Sequence, residues 1–391
     1  MKIALVLSSP PGYSETFFKS KIKGLQAQGH KVVLITAATP ERFSGCEHRA
    51  HPTVSKSVWV QLVRLLWVGM SLLPYLGRVL RYIRLERKSG TSLKRTIEKT
   101  YLNATLLKLK ADWLHFGFAT MAIDRELVAK AIGAKMAVSF RGYDINIYPL
   151  KHPDAYQLLW HQVDKVHSIS KYLLNKAYTL GLPKETPYQI ITPAVTIEKV
   201  PKRDALKNNI PIKITTVARL HYIKGIDLLL ETASLLRNQH IDFVWEVIGA
   251  GTKKDTERYL YHRYELGLEE KVVFTGKKTH RETLRAMAGS DIYVQTSLTE
   301  GFCNAVLEAQ AIGVPVIASN TGGMSENIIH DKTGWTVPEL VPELFAAQIE
   351  SVLALPATAQ KRITAQAAAR VEREFSIEKQ QREFVGFYSS K

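Results

Sequence analysis

Cysteine is nearly absent: the 391-residue chain has only Cys46 and Cys303, with no Cys-x-x-Cys pair and no Cys/His grouping at ligand spacing. A disulfide framework and a structural zinc site are excluded, and a reducing compartment fits best. The 12 histidines include no His-Glu-x-x-His pair, and neither an Asp-x-Asp triplet nor a Gly-x-Ser-x-Gly turn occurs. Zinc and serine hydrolases are therefore not indicated. No Gly-x-Gly-x-x-Gly follows the first strand-like run, where Ser8 to Ser14 reads SSPPGYS, and there is no P-loop. A dinucleotide oxidoreductase and a P-loop NTPase lose ground.

Long unbroken apolar runs are also missing. Ile3 to Leu7 is followed at once by a Pro-Pro-Gly turn, which fits a buried first strand and not a signal peptide. The only long apolar region, Val58 to Ile83, is interrupted by Arg64, Pro74, Arg78 and Arg81, leaving 13 uncharged residues from Leu65 to Gly77. That is short of the roughly 20 residues that span a bilayer. With 46% apolar and 23% charged residues, mixed throughout, the chain reads as globular.

Acidic residues are scarce in one half only. Residues 1–195 hold 28 Lys and Arg against 12 Asp and Glu, whereas residues 196–391 hold 25 against 24. Such a field favours an anionic partner: nucleic acid, anionic lipid or a phosphorylated substrate. Residues 56–95 carry nine basic side chains and one acid, Glu86, interleaved with Trp59, Trp67 and Tyr75. This pattern suits a segment lying in the headgroup layer of an anionic membrane; the alternative is a pair of core helices with solvated Arg faces.

Strand-like and helix-like stretches alternate from the start: Lys2 to Leu7, a helix from about Glu15 to Gln28, then Lys31 to Thr36, and later Trp113 to Phe116, a helix near Ile123 to Ala131, Lys135 to Phe140 and Lys165 to Ser170. The pattern restarts at Lys213 with Lys213 to Ala218, a helix near Ile226 to Arg237, and strands Asp242 to Ile248, Val272 to Thr275, Ile292 to Thr296 and Pro315 to Ser319. The expectation is an α/β chain of two Rossmann-like parallel-sheet domains, residues 1–195 and 196–374, joined by the Pro-containing stretch Pro193 to Pro211. Ligands of such sheets bind at the strand carboxyl ends, here in a cleft between the domains. The final segment, 375–391, is expected to pack as a helix back on the first domain.

The most informative window is Thr299 to Gly323, TEGFCNAVLEAQAIGVPVIASNTGG. A strand runs into a loop bearing Glu300 and then into a helix that Asn304 can cap, with Glu308 in its first turn. Amides around Phe302, Cys303 and Asn304 would hold a phosphate or pyrophosphate, while the two carboxylates would accept hydrogen bonds from sugar or ribose hydroxyls. Alternatively Glu308 is a helix N-terminal charge and Glu300 a solvated loop residue. Cations that could neutralise the phosphates follow the first strand of the second domain in VARLHYIKG, as Arg219 and Lys224. Gly249 and Gly251 in VIGAG would permit close approach of a nucleotide, or belong to an ordinary turn.

Arg219 with Lys224, Gly249 with Gly251, Glu300 with Glu308 at E-x7-E spacing, and Gly322-Gly323 occur in the order found in retaining GT-B glycosyltransferases of family four, the glycogen-synthase-like family, which the second domain resembles over nearly its whole length. LHFG at Leu114 to Gly117, SFRGYDI at Ser139 to Ile145 and the SETFF opening are similar to the subgroup that builds bacterial colanic acid and other exopolysaccharides. The resemblance implies a GT-B fold, a nucleotide-sugar donor held by the second domain, an acceptor held by the first, transfer with retention, and no metal or other cofactor. Arg219 and Lys224 would bind the diphosphate, Glu300 the donor sugar, Glu308 the ribose and the amides of Phe302 to Asn304 the phosphates, with Gly301 in the same donor loop. Gly12 would let a loop of the first domain approach the sugar. Where relatives often have His before Gly-x-Asp, this chain has Arg141 ahead of Gly142 and Asp144; Arg141 would hold a carboxylate or phosphate of donor or acceptor, or pair with Asp144 to shape the loop. Asp144 and His115 are further candidates for acceptor or sugar contact, although His115 also suits a local hydrogen bond.

The resulting expectation is a metal-independent hexosyltransferase, cytoplasmic and peripheral to the inner face of the cell membrane through residues 56–95. It would transfer from a UDP- or GDP-sugar to a polyprenyl-phosphate-linked or growing oligosaccharide in surface polysaccharide biosynthesis. Its rivals are a sugar-nucleotide 2-epimerase on the same fold and a basic membrane- or nucleic-acid-binding protein without catalysis. No nucleic-acid partner is expected, since helix-turn-helix, zinc and RNP signals are missing.

Overall fold

Short β-branched runs alternating with amphipathic helices build a parallel sheet in each of two units. The computed structural model describes residues 1–12, 16–196, 201 and 210–389. One unit comprises Met1–Thr192 with Gln380–Lys391, the other Pro193–Lys379. Ser14 and Glu15 of the SETFF opening, and most of the expected linker, lie outside the described residues.

The first unit contains β1 (Lys2–Val6), β2 (Lys31–Thr36), β3 (Glu47–Ala50), β4 (Trp113–Phe116), β5 (Lys135–Phe140), β6 (Lys165–Ser168) and β7 (Tyr188–Ile190). Every pairing is parallel, in the order β3-β2-β1-β4-β5-β6-β7. β1 and β4 are apolar almost without alternation because helices cover both faces of such a sheet. On one face α1 (Thr16–Ala27) sends Phe18, Ile22 and Leu25 into a core with Ile3, Leu5 and Leu34.

The second unit contains β8 (Ile212–Val217), β9 (Phe243–Ile248), β10 (Val272–Gly276), β11 (Ile292–Gln295), β12 (Val316–Ser319) and β13 (Trp335–Val337). Their order, β10-β9-β8-β11-β12-β13, repeats the topology of the first sheet, again wholly parallel. In each sheet the winding direction reverses beside the first strand, between β1 and β4 and between β8 and β11. Loops leaving the carboxyl ends of those strands diverge there and leave room for a ligand.

Several expected elements shift. The helix near Ile123 to Ala131 shortens to Val128–Ile132, because Asp124 takes a left-handed φ of 65° and gives its carboxylate to Arg95. Edge strands β3, β7 and β13 are too short to signal themselves by alternation. The last helix, here α7 (Ile377–Ser389), starts two residues beyond Phe375. Its Phe384, Phe387 and Tyr388 lie in the first unit's core.

The basic segment folds as α2 (Val58–Leu72), a 3-10 turn Leu73–Tyr75 and α3 (Leu76–Lys88), followed by α4 (Leu93–Leu102). Pro74 does not break the run, since it occupies the start of the 3-10 turn, where its missing N–H costs nothing. Val58–Lys88 is consequently one helical stretch of 31 residues, long and apolar enough by length and composition to cross a membrane, with 6% of its most apolar window buried. The helix thus runs on through Pro74, which the sequence alone marks as an interruption, with Arg64, Arg78 and Arg81 still within it.

Candidate functional site

The second unit gathers most of the expected site at its switch point. β8 ends at Val217 and the chain passes through Arg219 into a 3-10 turn, Tyr222–Lys224, before α5 (Ile226–Asn238). Arg219 is exposed and makes no hydrogen bond or ion pair among the described residues. The Lys224 ammonium instead crosses to the loop after β11, where it is ion-paired with Glu300 Oε1. Ser297 Oγ donates to the same carboxylate oxygen at 2.9 Å. Glu300 is 9% exposed, so it is not a solvated loop residue.

The Glu300 backbone is fixed as firmly as its side chain. Gly323 N donates to Glu300 O at 2.7 Å, and Gly322, at a φ of 58°, lies so close that a Cβ there would fall 2.2 Å from that oxygen. Gly249 and Gly251 take part in loop packing: a Cβ at Gly249 would sit 1.9 Å from Ala218 O, and one at Gly251 would sit 2.6 Å from Leu220 O. Both glycines thus hold the loop bearing Arg219 against the end of β9.

The helix after Glu300, α6 (Asn304–Ile312), departs from expectation in its first turn. Cys303 is the N-cap, without a side-chain cap bond, and Asn304 is already helical. Cys303 N is occupied by Asn327 Oδ1 at 3.0 Å, while Asn327 Nδ2 returns a bond to Cys303 O at 3.0 Å. Of the three amides expected to meet phosphate, that one is taken. Gly301 and Phe302 are buried and Asn304 is exposed. Glu308 lies beyond the first turn, with Oε1 2.8 Å from His280 Nε2. Burial pushes the Cys303 thiol up to about 12, which suits a space-filling side chain and not a nucleophile.

Ser297, His280 and Asn327 were not among the expected site residues. A signal for His280 existed: Thr279 and Glu282 form a capping box, a T-x-x-E signature that marks a helix start just after β10. Asn327 has no comparable signal, because its partner lies 24 residues away in sequence.

In the first unit the expectations hold less well. Gly12 is exposed, and a Cβ there would meet nothing within 4 Å. His115 is completely buried, hydrogen-bonded to Ser139 Oγ at 2.8 Å and Tyr388 OH at 2.6 Å. It therefore joins the sheet to α7 and does not reach an acceptor. Asp144 is also fully buried: Oδ1 accepts from Arg141 N and Gly142 N at 3.0 and 2.9 Å, and Oδ2 from Ala119 N at 3.0 Å. It shapes the loop through backbone amides. Burial keeps its carboxyl above the usual carboxylate range despite those bonds. The Arg141 guanidinium sits over the Phe17 ring, its Cζ 3.6 Å from the centroid, and Nε donates to Gly117 O at 3.2 Å. Of the three candidates it alone retains exposure. Among the described residues no group of three or more His, Cys, Asp or Glu is placed to hold a metal.

Residues 199–370 match the family described as glycosyl transferases group 1. A Salmonella typhimurium protein, WcaL, assigned to colanic acid biosynthesis as a glycosyltransferase, is 24% identical over 96% of both chains. The amylovoran biosynthesis glycosyltransferase AmsK of Erwinia amylovora is 31% identical over 60% of this chain and 59% of its own. Among solved structures, sucrose-phosphate synthase from Thermosynechococcus elongatus superposes with a TM-score of 0.76 at 17% identity, covering 99% of this chain and 98% of its own. Anabaena HepE, solved with UDP and glucose, gives 0.72 at 15% identity over the full length of both. At these identities the structures establish the fold, which is GT-B. Its residues 199–370, which hold the Lys224–Glu300 pair, belong to glycosyl transferases group 1.

Proposed function

We propose that the chain is a retaining, metal-independent glycosyltransferase that moves a hexose from a nucleoside-diphosphate sugar to a lipid-linked or growing oligosaccharide in exopolysaccharide biosynthesis. The observation that carries this reading is the Lys224–Glu300 pair at the β8/β11 switch point, with Arg219 uncommitted on the same loop. A diphosphate entering there would draw on both cations, and a sugar hydroxyl would donate to the Glu300 carboxylate. Two fixed positive charges would stabilise the leaving diphosphate without a metal. Glu308, oriented by His280, would accept from the ribose hydroxyls.

The acceptor class rests on the names of the relatives, which concern colanic acid and amylovoran. UDP is the first donor nucleotide to try, because HepE was solved with it. An anionic membrane face, reached through residues 56–95, would present a polyprenyl-phosphate acceptor. The direct test is thermal unfolding with UDP, GDP, ADP and CMP in EDTA. A ligand at about 100 times its dissociation constant adds roughly 2.7 kcal/mol. A midpoint rise with UDP or GDP in EDTA supports the donor reading, and no rise with any of the four counts against it.

A further inference from the structure

The membrane-facing segment is not uniform, and its two helices do opposite work. α2 is built inside out for a helix on the surface of a water-soluble domain. At roughly 100° per residue, Gln61, Arg64, Val68, Ser71 and Leu72 fall on one narrow sector. That sector attaches to the protein: Gln61 Oε1 accepts from Ser55 N at 2.9 Å, Arg64 donates to Thr53 O at 3.2 Å, Ser71 Oγ accepts from Lys108 at 2.6 Å, and Leu72 is buried. The rest of the circumference is apolar and bare, with Trp59 80%, Leu66 68% and Trp67 69% exposed. So large an unbroken apolar face demands a partner.

α3 is a clamp. Val79, Tyr82 and Glu86 are buried, Arg78 donates to Leu109 O at 2.6 Å, and Glu86 pairs with Lys99 of α4 at 2.8 Å. α4 packs beside both α2 and α3. With α3 fastened in this way, only the 15 residues of α2 are left for lipid, about 22 Å of helix against the roughly 30 Å hydrocarbon core. We infer that α2 lies in one leaflet of an anionic bilayer, its Trp59–Leu66–Trp67 face among the acyl chains, and that Arg78 serves the protein instead of the headgroups. Exposed Lys56, Arg84, Lys88 and Lys94 supply the complementary charge at the rim. A second copy fits this face less well, since residues 1–195 carry 28 basic against 12 acidic side chains and two such halves repel.

This inference rests on the membrane-surface reading above, and the experiment separates them. The full chain, a Trp59→Glu/Trp67→Glu variant and an Arg84→Gln/Lys88→Gln/Lys94→Gln variant are sedimented with vesicles of equal phosphatidylglycerol and phosphatidylcholine. Each is also sized by light scattering, and its thermal midpoint is measured to confirm folding. The wild-type chain should pellet, and the Trp variant should bind at least about tenfold more weakly at an unchanged midpoint. The Lys/Arg variant should lose much of its binding and all of its preference over pure phosphatidylcholine. If the wild type pellets and the Trp variant pellets equally, the assignment to α2 is overturned and the membrane reading survives. If the wild type does not pellet, or is a dimer that the Trp variant breaks apart, both are overturned.

Discussion

The Lys224 ammonium and the Glu300 carboxylate, brought together from loops after two neighbouring strands, hold each other in place where donor phosphate and donor sugar would meet. Their replacements should therefore fail differently. Lys224→Ala should lower transfer by about 100-fold, the scale of one lost charge contact to the leaving group, and should abolish the thermal shift with UDP. Glu300→Gln should lower transfer comparably while keeping most of the UDP shift, because UDP lacks the transferred sugar that Glu300 would hold. Transfer within about threefold of wild type for either variant would refute the assignment.

Glu308 offers a test by ligand as well as by mutation. Its carboxylate, fixed by His280 at 2.8 Å, is assigned to the ribose. Glu308→Ala should weaken UDP about tenfold, the loss of a hydrogen bond to a charged group. Against 2′,3′-dideoxyuridine diphosphate the same variant should bind like the wild type. Calorimetric titration of the four combinations forms a double-mutant cycle, and a coupling near zero would remove Glu308 from the ribose site.

The fold was largely legible because parallel-sheet strands announce themselves: β2, β4 and β5 coincide with Lys31 to Thr36, Trp113 to Phe116 and Lys135 to Phe140. β3, EHRA, has no apolar residue but its final alanine, so periodicity cannot reveal it. The candidate site was legible where its residues share one motif, as with Glu300 and Glu308, which flank the start of α6. It was illegible where a residue is held by a distant partner: Asn327 reaches Cys303 from 24 residues away, while Ser297, only three residues from Glu300, carries no sequence signal that its hydroxyl turns onto that carboxylate. His115 misled for the same reason, since only the fold shows Ser139 and Tyr388 surrounding it.

Those buried histidines set a direction for pH. Burial, with Lys21 and Arg141 nearby, holds His115 and His167 well below the ordinary histidine range, and His51 falls to about 4. The folded state keeps them neutral, whereas the unfolded chain protonates near 6.5. Below that value the unfolded state binds more protons, so stability should fall on acidification, by up to about 1.4 kcal/mol per pH unit for each such group. Buried Lys21, also held far below its ordinary value, pushes in the same direction at higher pH, as its unfolded form protonates first. Asp144 opposes them, because its raised pKa favours the folded state as pH drops toward 4. The thermal midpoint should therefore decline from pH 7 to 5, and His167→Gln should flatten that decline. A flat wild-type profile would show that these rings protonate in the fold as readily as in the unfolded chain.

The clamp under α2 rests on a buried ion pair whose removal should be asymmetric. Glu86 is fully buried, and its Oε2 accepts from Lys99 Nζ and Thr91 Oγ1 at 2.8 Å each. Lys99→Met would leave a carboxylate buried without its cation, which costs about 3–5 kcal/mol. For a unit of this size the thermal midpoint should fall by roughly 6–20 °C. Changing both partners, as Lys99→Met with Glu86→Leu, removes the charge altogether and should recover most of that loss, because a well-packed apolar pair avoids the desolvation that the ions incur. A double variant as unstable as the single one would mean that packing around Thr91 and Tyr82, and not the stranded charge, is what fastens α3 to α4.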